Sequence, residues 1–160
     1  LGKAYQRGSF DGTVSREETR LDQAEGMAVT PGGIVYLANF GGNSILKFDP
    51  NTNETSVVVK SNGWGDNDGG PGQAQFKGPV GLELTSNGDL FVSEFYGHRI
   101  RLITFDSEGN ASYVQTIAGG RGNEQSGDQD GSFQNSTCIL INIYLNNACI
   151  LVVKNEIKKR

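Results

Sequence analysis

Few side chains in this 160-residue chain could perform chemistry, and they do not form a standard catalytic pattern. The single histidine, His98, could act as a general base or a metal ligand. The two cysteines, Cys138 and Cys149, have neither a CxxC spacing nor a paired histidine, so a standard zinc site is not indicated. No nucleophile-elbow, phosphate-loop or dinucleotide motif is present. We therefore expect no cofactor and no metal, and we assign no catalytic residue.

Two loops carry a pair of aspartates followed by glycine, as Asp66-Asn67-Asp68-Gly69 and Asp128-Gln129-Asp130-Gly131. Carboxylates two residues apart are typical of the opening of a calcium-binding loop. The later ligands of such a loop, including the bidentate glutamate at its end, are missing from both sequences. We interpret both segments as acidic turns.

The secondary-structure elements that position these residues are indicated by an internal sequence repeat. Residues 26–48 read GMAVTPGGIVYLANFGGNSILKF and align without a gap with residues 81–103, GLELTSNGDLFVSEFYGHRIRLI. Six of the 23 positions are identical, and six more keep an apolar residue. Short apolar runs that recur between glycine turns predict a modular array of β-sheets, each built from one unit of the repeat.

Each unit predicts four short strands joined by tight turns, which is an antiparallel meander. The predicted strands lie at residues 26–30, 34–38, 44–48, 55–60, 79–85, 90–93, 98–105 and 112–118. Residues 8–23 read as a polar loop before the first strand. The units then cover residues 8–60, 61–118 and 119–160 of a single domain, and residues 137–160 of the last unit contain no glycine. The apolar run at 138–153 is too short to span a membrane.

Unit two carries the features of a known repeat in order: a Gly/Asp-rich loop, Gln75-Phe76-Lys77-Gly78-Pro79, Asn87-Gly88-Asp89 and Gly97-His98-Arg99. This pattern closely resembles the NHL repeat, and the resemblance spans roughly residues 8–137. It implies an all-β fold, a six-bladed β-propeller in which each four-stranded antiparallel sheet is one blade. About three blades of the expected six are present. The resemblance therefore implies a partial β-propeller, from either a longer parent protein or an assembly of copies.

The polar candidates fall at strand ends and turns. Asn43 occupies in unit one the turn position of His98, so we expect His98 to satisfy neighbouring backbone groups rather than to catalyse. Asn39 and Glu94 each end the second strand of their unit. We expect them to accept N–H groups from the following turn, although the same position can face ligands at the loop-bearing end.

Trp64 and Tyr96 lie in or beside loops and have no counterpart in unit one, which makes them candidates for contact with a ligand. Phe76 aligns with Phe133, which indicates packing between blades. The basic cluster of the body consists of Arg99, Arg101 and Arg121. We interpret these arginines as solvated strand ends and keep Arg99 as a candidate contact residue.

The net charge of −4 is unevenly distributed, with −7 in residues 1–137 and +3 in residues 138–160. An acidic body argues against binding to a nucleic acid backbone. We expect protein partners, with a small molecule or glycan as a second option, and self-association because the ring is incomplete. Cys138 and Cys149 could be bonded or reduced, so the compartment stays open.

These features favour a non-enzymatic binding scaffold that acts through its propeller loops. The alternative is a fragment of a six-bladed propeller enzyme, because propellers similar to this include metal-dependent lyases and lactonases. Such an enzyme would hold its metal with side chains such as His98, Glu94 and Asn39. A third hypothesis, suggested by the eroded last unit, is a remnant without function.

Overall fold

A computed structural model describes residues 11–61 and 63–119 of the chain. These residues form two antiparallel β-sheets and no helix. The strands are β1 (Thr13–Ser15), β2 (Ala24–Val29), β3 (Val35–Asn39), β4 (Ser44–Asp49), β5 (Glu54–Lys60), β6 (Pro79–Leu84), β7 (Leu90–Glu94), β8 (Arg99–Phe105) and β9 (Ala111–Gly119). The third predicted unit, including Cys138 and Cys149, lies outside the described residues. The described residues contain no helix that is long and apolar enough to cross a membrane.

Each described unit forms one sheet, as the repeat predicts. Sheet one has the strand order β1-β5-β4-β3-β2, and sheet two has the order β6-β7-β8-β9. All eight predicted strands are present, with ends that differ from the prediction by at most two residues.

The interpretation of residues 8–23 as a loop is wrong in one place, because β1 lies within it and pairs with β5. Three residues are too few to show a strand period in the sequence. The pairing is explained by β5 itself, whose free edge would otherwise leave backbone groups unpaired.

The two sheets pack through apolar faces. Sheet one contributes Ala28, Tyr36 and Ile45 to the shared core, and sheet two contributes residues that include Leu82 and Ile103. Contacts between the sheets concentrate on β2, β3 and β6. The sheets therefore fan outward from β2 and β6 as neighbouring blades do, rather than lying flat against each other as in a sandwich.

Part of the other face of sheet one is apolar and exposed. Met27 and Val29 are 65% and 53% exposed on this face, because side chains alternate along β2 and Ala28 points into the shared core. Their counterparts in the repeat are Leu82 and Leu84, and Leu82 is only 7% exposed in the core between the sheets. The predicted self-association thus has an apolar surface available, and it stays a prediction.

Candidate functional site at the loop-bearing end of the sheets

Three segments meet at one end of the two sheets. They are the loop of residues 61–78, here called the connecting loop, and the turns that follow β3 and β7. The Gly78 N–H donates to Asn43 Oδ1 at 2.9 Å, and the Tyr96 N–H donates to the Lys77 carbonyl at 3.1 Å. This end of the molecule brings together most of the residues that the sequence singles out.

An aromatic cluster of Phe40, Trp64, Phe95 and Tyr96 covers this end. The Tyr96 ring lies 5.1 Å from Trp64, 5.7 Å from Phe40 and 4.9 Å from Phe95, measured between ring centroids. Trp64 and Tyr96 are 52% and 46% exposed. The structure thus places the two predicted contact residues side by side and half in solvent.

Gly78 makes room for this cluster. A Cβ on Gly78 would lie 2.8 Å from Phe40 and 3.0 Å from Tyr96, closer than normal packing permits. The backbone of Gly78 also has φ of +67°, a conformation that glycine adopts without strain. Phe40 and Phe95 were not among the residues predicted for the site. Their identity in the two repeats was the signal that could have identified them.

Asn39 and Glu94 are buried and receive backbone donors at equivalent places in the two units. Asn39 Oδ1 accepts the Asp22 N–H at 2.7 Å, and Glu94 Oε1 accepts the Lys77 N–H at 3.1 Å. The donors come from the loop that precedes β2 in sheet one and from the loop that precedes β6 in sheet two. Both side chains therefore accept backbone N–H groups as expected, while the expectation that the following turn supplies the donors is wrong.

Glu94 also forms a buried ion pair with Arg101. Arg101 Nη1 lies 3.1 Å from Glu94 Oε1, and both side chains are fully buried. Unit one has the uncharged residues Asn39 and Leu46 at the same two positions. The opposite charges at both positions of unit two were the sequence signal for the interaction.

Arg101 joins sheet two to the connecting loop. Its guanidinium donates to the carbonyls of Gln75 and Asn67 at 2.7 and 2.8 Å and to Asp68 at 2.9 Å. It also lies 5.4 Å above the ring of Phe76, whose predicted burial between the blades is confirmed. These contacts hold the loop against the sheet.

The interpretation of Arg99 and Arg101 as solvated strand ends is wrong. Arg99 is buried and pairs with Asp66 at 2.7 Å, and Arg101 has no exposed surface. Burial is possible because the connecting loop folds over both guanidinium groups and supplies carboxylates and carbonyls as acceptors. Arg121 lies outside the described residues.

The acidic turn Asp66–Gly69 therefore fastens the connecting loop. Asp68 accepts from Thr116 Oγ1 as well as from Arg101, and Gly69 exchanges two backbone hydrogen bonds with Val114 of β9. Within residues 11–61 and 63–119, no group of three or more His, Cys, Asp or Glu side chains could hold a metal ion.

Burial raises the pKa of Glu94 from 4.5 to about 7, and Arg101 and the Lys77 N–H oppose this rise. The folded protein therefore keeps a proton on Glu94 at a pH where the unfolded chain has released it. The stabilisation from this proton is complete below pH 4.5 and is lost as the pH rises through about 7.

We expect the stability of the wild type, relative to Glu94→Gln, to fall by about 3 kcal/mol between these two pH values, since each pH unit corresponds to about 1.4 kcal/mol. Urea denaturation of both proteins at several pH values from 4.5 to 8 would measure the difference. Glutamine keeps the acceptor for Lys77 and cannot titrate. A difference that grows in favour of the wild type as the pH rises would contradict the prediction.

His98 has φ of +48°, close to the +44° of Asn43 in unit one. It lies in the turn between β7 and β8, as predicted. Its Nδ1 atom is shielded from solvent and has no hydrogen-bond partner within the described part of the chain. The expected bond to neighbouring backbone is therefore not seen there.

The chain is similar to parts of longer known proteins. No protein-family model matches the chain. The protein SUPPRESSOR OF QUENCHING 1, chloroplastic, of Arabidopsis thaliana is 30% identical over 113 residues, which are 71% of this chain and 10% of that protein. The chain thus spans about a tenth of this plant relative.

Two solved structures from Bacteroides thetaiotaomicron resemble the described fold. One is an auxiliary nutrient binding protein, with a TM-score of 0.59 and 13% identity over 79% of this chain and 27% of that chain. The other is a structural genomics protein of unknown function, with a TM-score of 0.56 and 21% identity over 68% of this chain and 26% of that chain. The chain thus spans about a quarter of each structure. With the two fanned antiparallel sheets, these similarities show an all-β fold that is part of a β-propeller.

Proposed function

We propose that the chain is part of an NHL-type six-bladed propeller and serves as a non-enzymatic scaffold. In this proposal it binds a protein partner through the aromatic cluster. The observation that carries it is the contact between Trp64 and Tyr96, two half-exposed rings that lie 5.1 Å apart at the loop-bearing end.

The chemistry of these two side chains suits protein recognition. Tyrosine and tryptophan are enriched at protein interfaces and dominate the energy of many of them. Tyr96 is packed between Phe95 and Phe40, so its ring loses little further freedom when a partner binds. A rigid, half-exposed aromatic pair is therefore a suitable anchor.

The polar residues that an enzyme would need are engaged elsewhere. Asn39 and Glu94 are buried, and each accepts a backbone N–H of the preceding loop. Glu94 is also paired with Arg101, and Arg99 is paired with Asp66. These charges hold the connecting loop in place, which favours the scaffold over the metal-dependent enzyme.

Binding can be tested with a matched pair of variants. Trp64→Ala/Tyr96→Ala removes both exposed rings of the cluster, and Tyr113→Ala removes a tyrosine of similar exposure on β9. Proteins captured by the wild type and by Tyr113→Ala, but not by the double variant, are the expected partners. Isothermal titration calorimetry with a purified partner then measures the affinity of all three proteins.

We expect the double variant to weaken binding at least 30-fold, since hot-spot aromatic residues contribute about 2 kcal/mol or more. Tyr113→Ala should bind within about twofold of the wild type. A partner that binds the double variant as tightly as the wild type would contradict the proposed surface. Loss of binding in both variants would indicate general damage to the fold, which circular dichroism would reveal.

A further inference from the structure

The ion pairs at the loop-bearing end present their negative partners to solvent. Lys77, Arg99 and Arg101 are buried. The side chains of Asp66 and Asp68, which pair with these cations, are 44% and 39% exposed. Although the charges nearly balance in number, the charge that a binding partner meets on the connecting loop is therefore negative.

These aspartates have acceptor atoms to spare. Asp66 Oδ2 accepts from Arg99 at 2.7 Å, and Asp68 Oδ1 accepts from Arg101 and Thr116. Within residues 11–61 and 63–119, no donor binds Asp66 Oδ1 or Asp68 Oδ2. A further N–H group from a partner can therefore bind here without displacing the bonds that hold the loop.

Asp66 lies beside the aromatic cluster. It follows Trp64 by two residues, and its Oδ2 lies 3.9 Å from Lys77 Nζ. The Lys77 carbonyl in turn accepts the Tyr96 N–H at 3.1 Å. The exposed carboxylate and the two exposed rings thus belong to one surface.

A carboxylate also flanks the cluster on the side of sheet one. A Cβ on Gly41 would lie 2.5 Å from Asp22 Cγ, so the Asp22 carboxyl group rests against the turn that carries Phe40. The exposed cation Lys60, at the end of β5, already pairs with Asp11 at 2.5 Å. The aromatic cluster therefore has carboxylates on the sides of both sheets.

The exposed rings themselves suit a flat cation. The planes of Trp64 and Tyr96 are inclined by 52°, so the two rings do not stack face to face and each is half exposed. A guanidinium group is planar, stacks on aromatic rings and offers a fork of N–H donors to carboxylates. The ammonium group of lysine carries the charge without the flat shape or the fork.

The charges argue against a nucleic acid on the same rings. Bases of a single strand can stack on aromatic side chains, but such proteins also offer a positive groove to the phosphates. Here the phosphates would face Asp66 and Asp68, while the nearby arginines are buried beneath the connecting loop. Charge complementarity therefore selects a cationic group of a protein.

We infer that the aromatic cluster binds an arginine side chain of its partner, which rests on the proposed binding of a protein there. The guanidinium lies over Trp64 and Tyr96, and its N–H groups donate to Asp66. The partner is then a protein with an exposed basic segment, rather than an acidic or purely apolar one.

Phage display of random twelve-residue peptides supplies the probe. The library is selected on the full chain and then depleted on Trp64→Ala/Tyr96→Ala, which lacks both exposed rings. We expect the remaining peptides to be enriched in arginine. Peptides that need the rings but carry no arginine would overturn this inference and leave the proposed function standing. Recovery of no peptide that needs the rings would count against both.

Replacement of the selected arginine by citrulline separates charge from shape. Citrulline keeps the flat group and loses the positive charge, so calorimetry with the synthetic peptide should show at least about fivefold weaker binding to the full chain. Equal affinity of the two peptides would overturn the inference. This measurement uses the wild type and does not depend on whether a variant folds.

A matched pair of protein variants locates the carboxylate. Asp66→Asn removes one negative charge beside the rings and keeps an oxygen that can accept from Arg99. Glu54→Gln removes one negative charge from an exposed residue at the start of β5, the end of that strand opposite Lys60. We expect Asp66→Asn to weaken binding of the arginine peptide at least about threefold, and Glu54→Gln to leave it within about 1.5-fold of the wild type. Equal effects of both variants would show attraction by net charge alone and would overturn the contact with Asp66.

Discussion

Arg101→Leu should destabilise the chain by about 3–5 kcal/mol at pH 8, the range measured when one partner of a buried ion pair is removed. The guanidinium has no exposed surface and binds Glu94, Asp68 and two carbonyls of the connecting loop. Its loss removes the cation that lowers the pKa of the buried Glu94, and it removes the guanidinium donor of Asp68 and of two loop carbonyls. Urea denaturation followed by circular dichroism would measure the change.

The residues of unit one suggest a second substitution that should restore part of the stability lost in Arg101→Leu. Unit one has Asn39 and Leu46 where unit two has Glu94 and Arg101, and Asn39 accepts the equivalent backbone N–H. In Glu94→Asn/Arg101→Leu we therefore expect a destabilisation at least 2 kcal/mol smaller than the sum of the two single variants. Some loss should remain, because leucine cannot bind the carbonyls of Gln75 and Asn67.

Arg16→Ala is the control for the loss of an exposed arginine. Arg16 pairs with Glu17 at 3.2 Å, and both side chains are more than half exposed. Exposed pairs contribute little, so we expect a change below about 0.5 kcal/mol. Effects of the Glu94 and Arg101 substitutions that simply add would show that the two residues are not energetically coupled.

The fold could be predicted from the sequence because its signals are local. Short apolar runs, glycine turns and the repeat fix where strands begin and end, and two faces per sheet require neighbours. The strand β1 was missed because its pairing with β5 depends on a contact between residues about 40 positions apart, which no local pattern records.

The candidate site was predicted in part. Trp64 and Tyr96 were found because they break the repeat, and the structure places them together. The burial of Arg99 and Arg101 could not be predicted, since it depends on how the connecting loop folds over β8. Arginines on a strand normally reach solvent, and only the loop carbonyls and aspartates reverse that preference here.

The position of Gly26 predicts a second large effect, at the contact between the sheets. A Cβ on Gly26 would overlap the carbonyl oxygen of Val80 and lie 3.2 Å from the Cα of Gly81. The obstructing atoms belong to the backbone of β6, which cannot move aside as a side chain can. Gly26→Ala should therefore push β2 and β6 apart.

We expect Gly26→Ala to lower the free energy of unfolding by about 1–3 kcal/mol, the range for an extra methylene forced into a well-packed core. Gly72→Ala is the matched control, because a Cβ there meets nothing within 4 Å and its φ is not positive. That variant should be unchanged or slightly more stable, since alanine restricts the unfolded chain.

Faster hydrogen exchange at Leu82 in Gly26→Ala alone would locate the damage at the contact between the sheets. Equal stability of the two variants would mean that β2 and β6 do not approach each other closely at this point, and the fanned arrangement of the sheets would then be wrong.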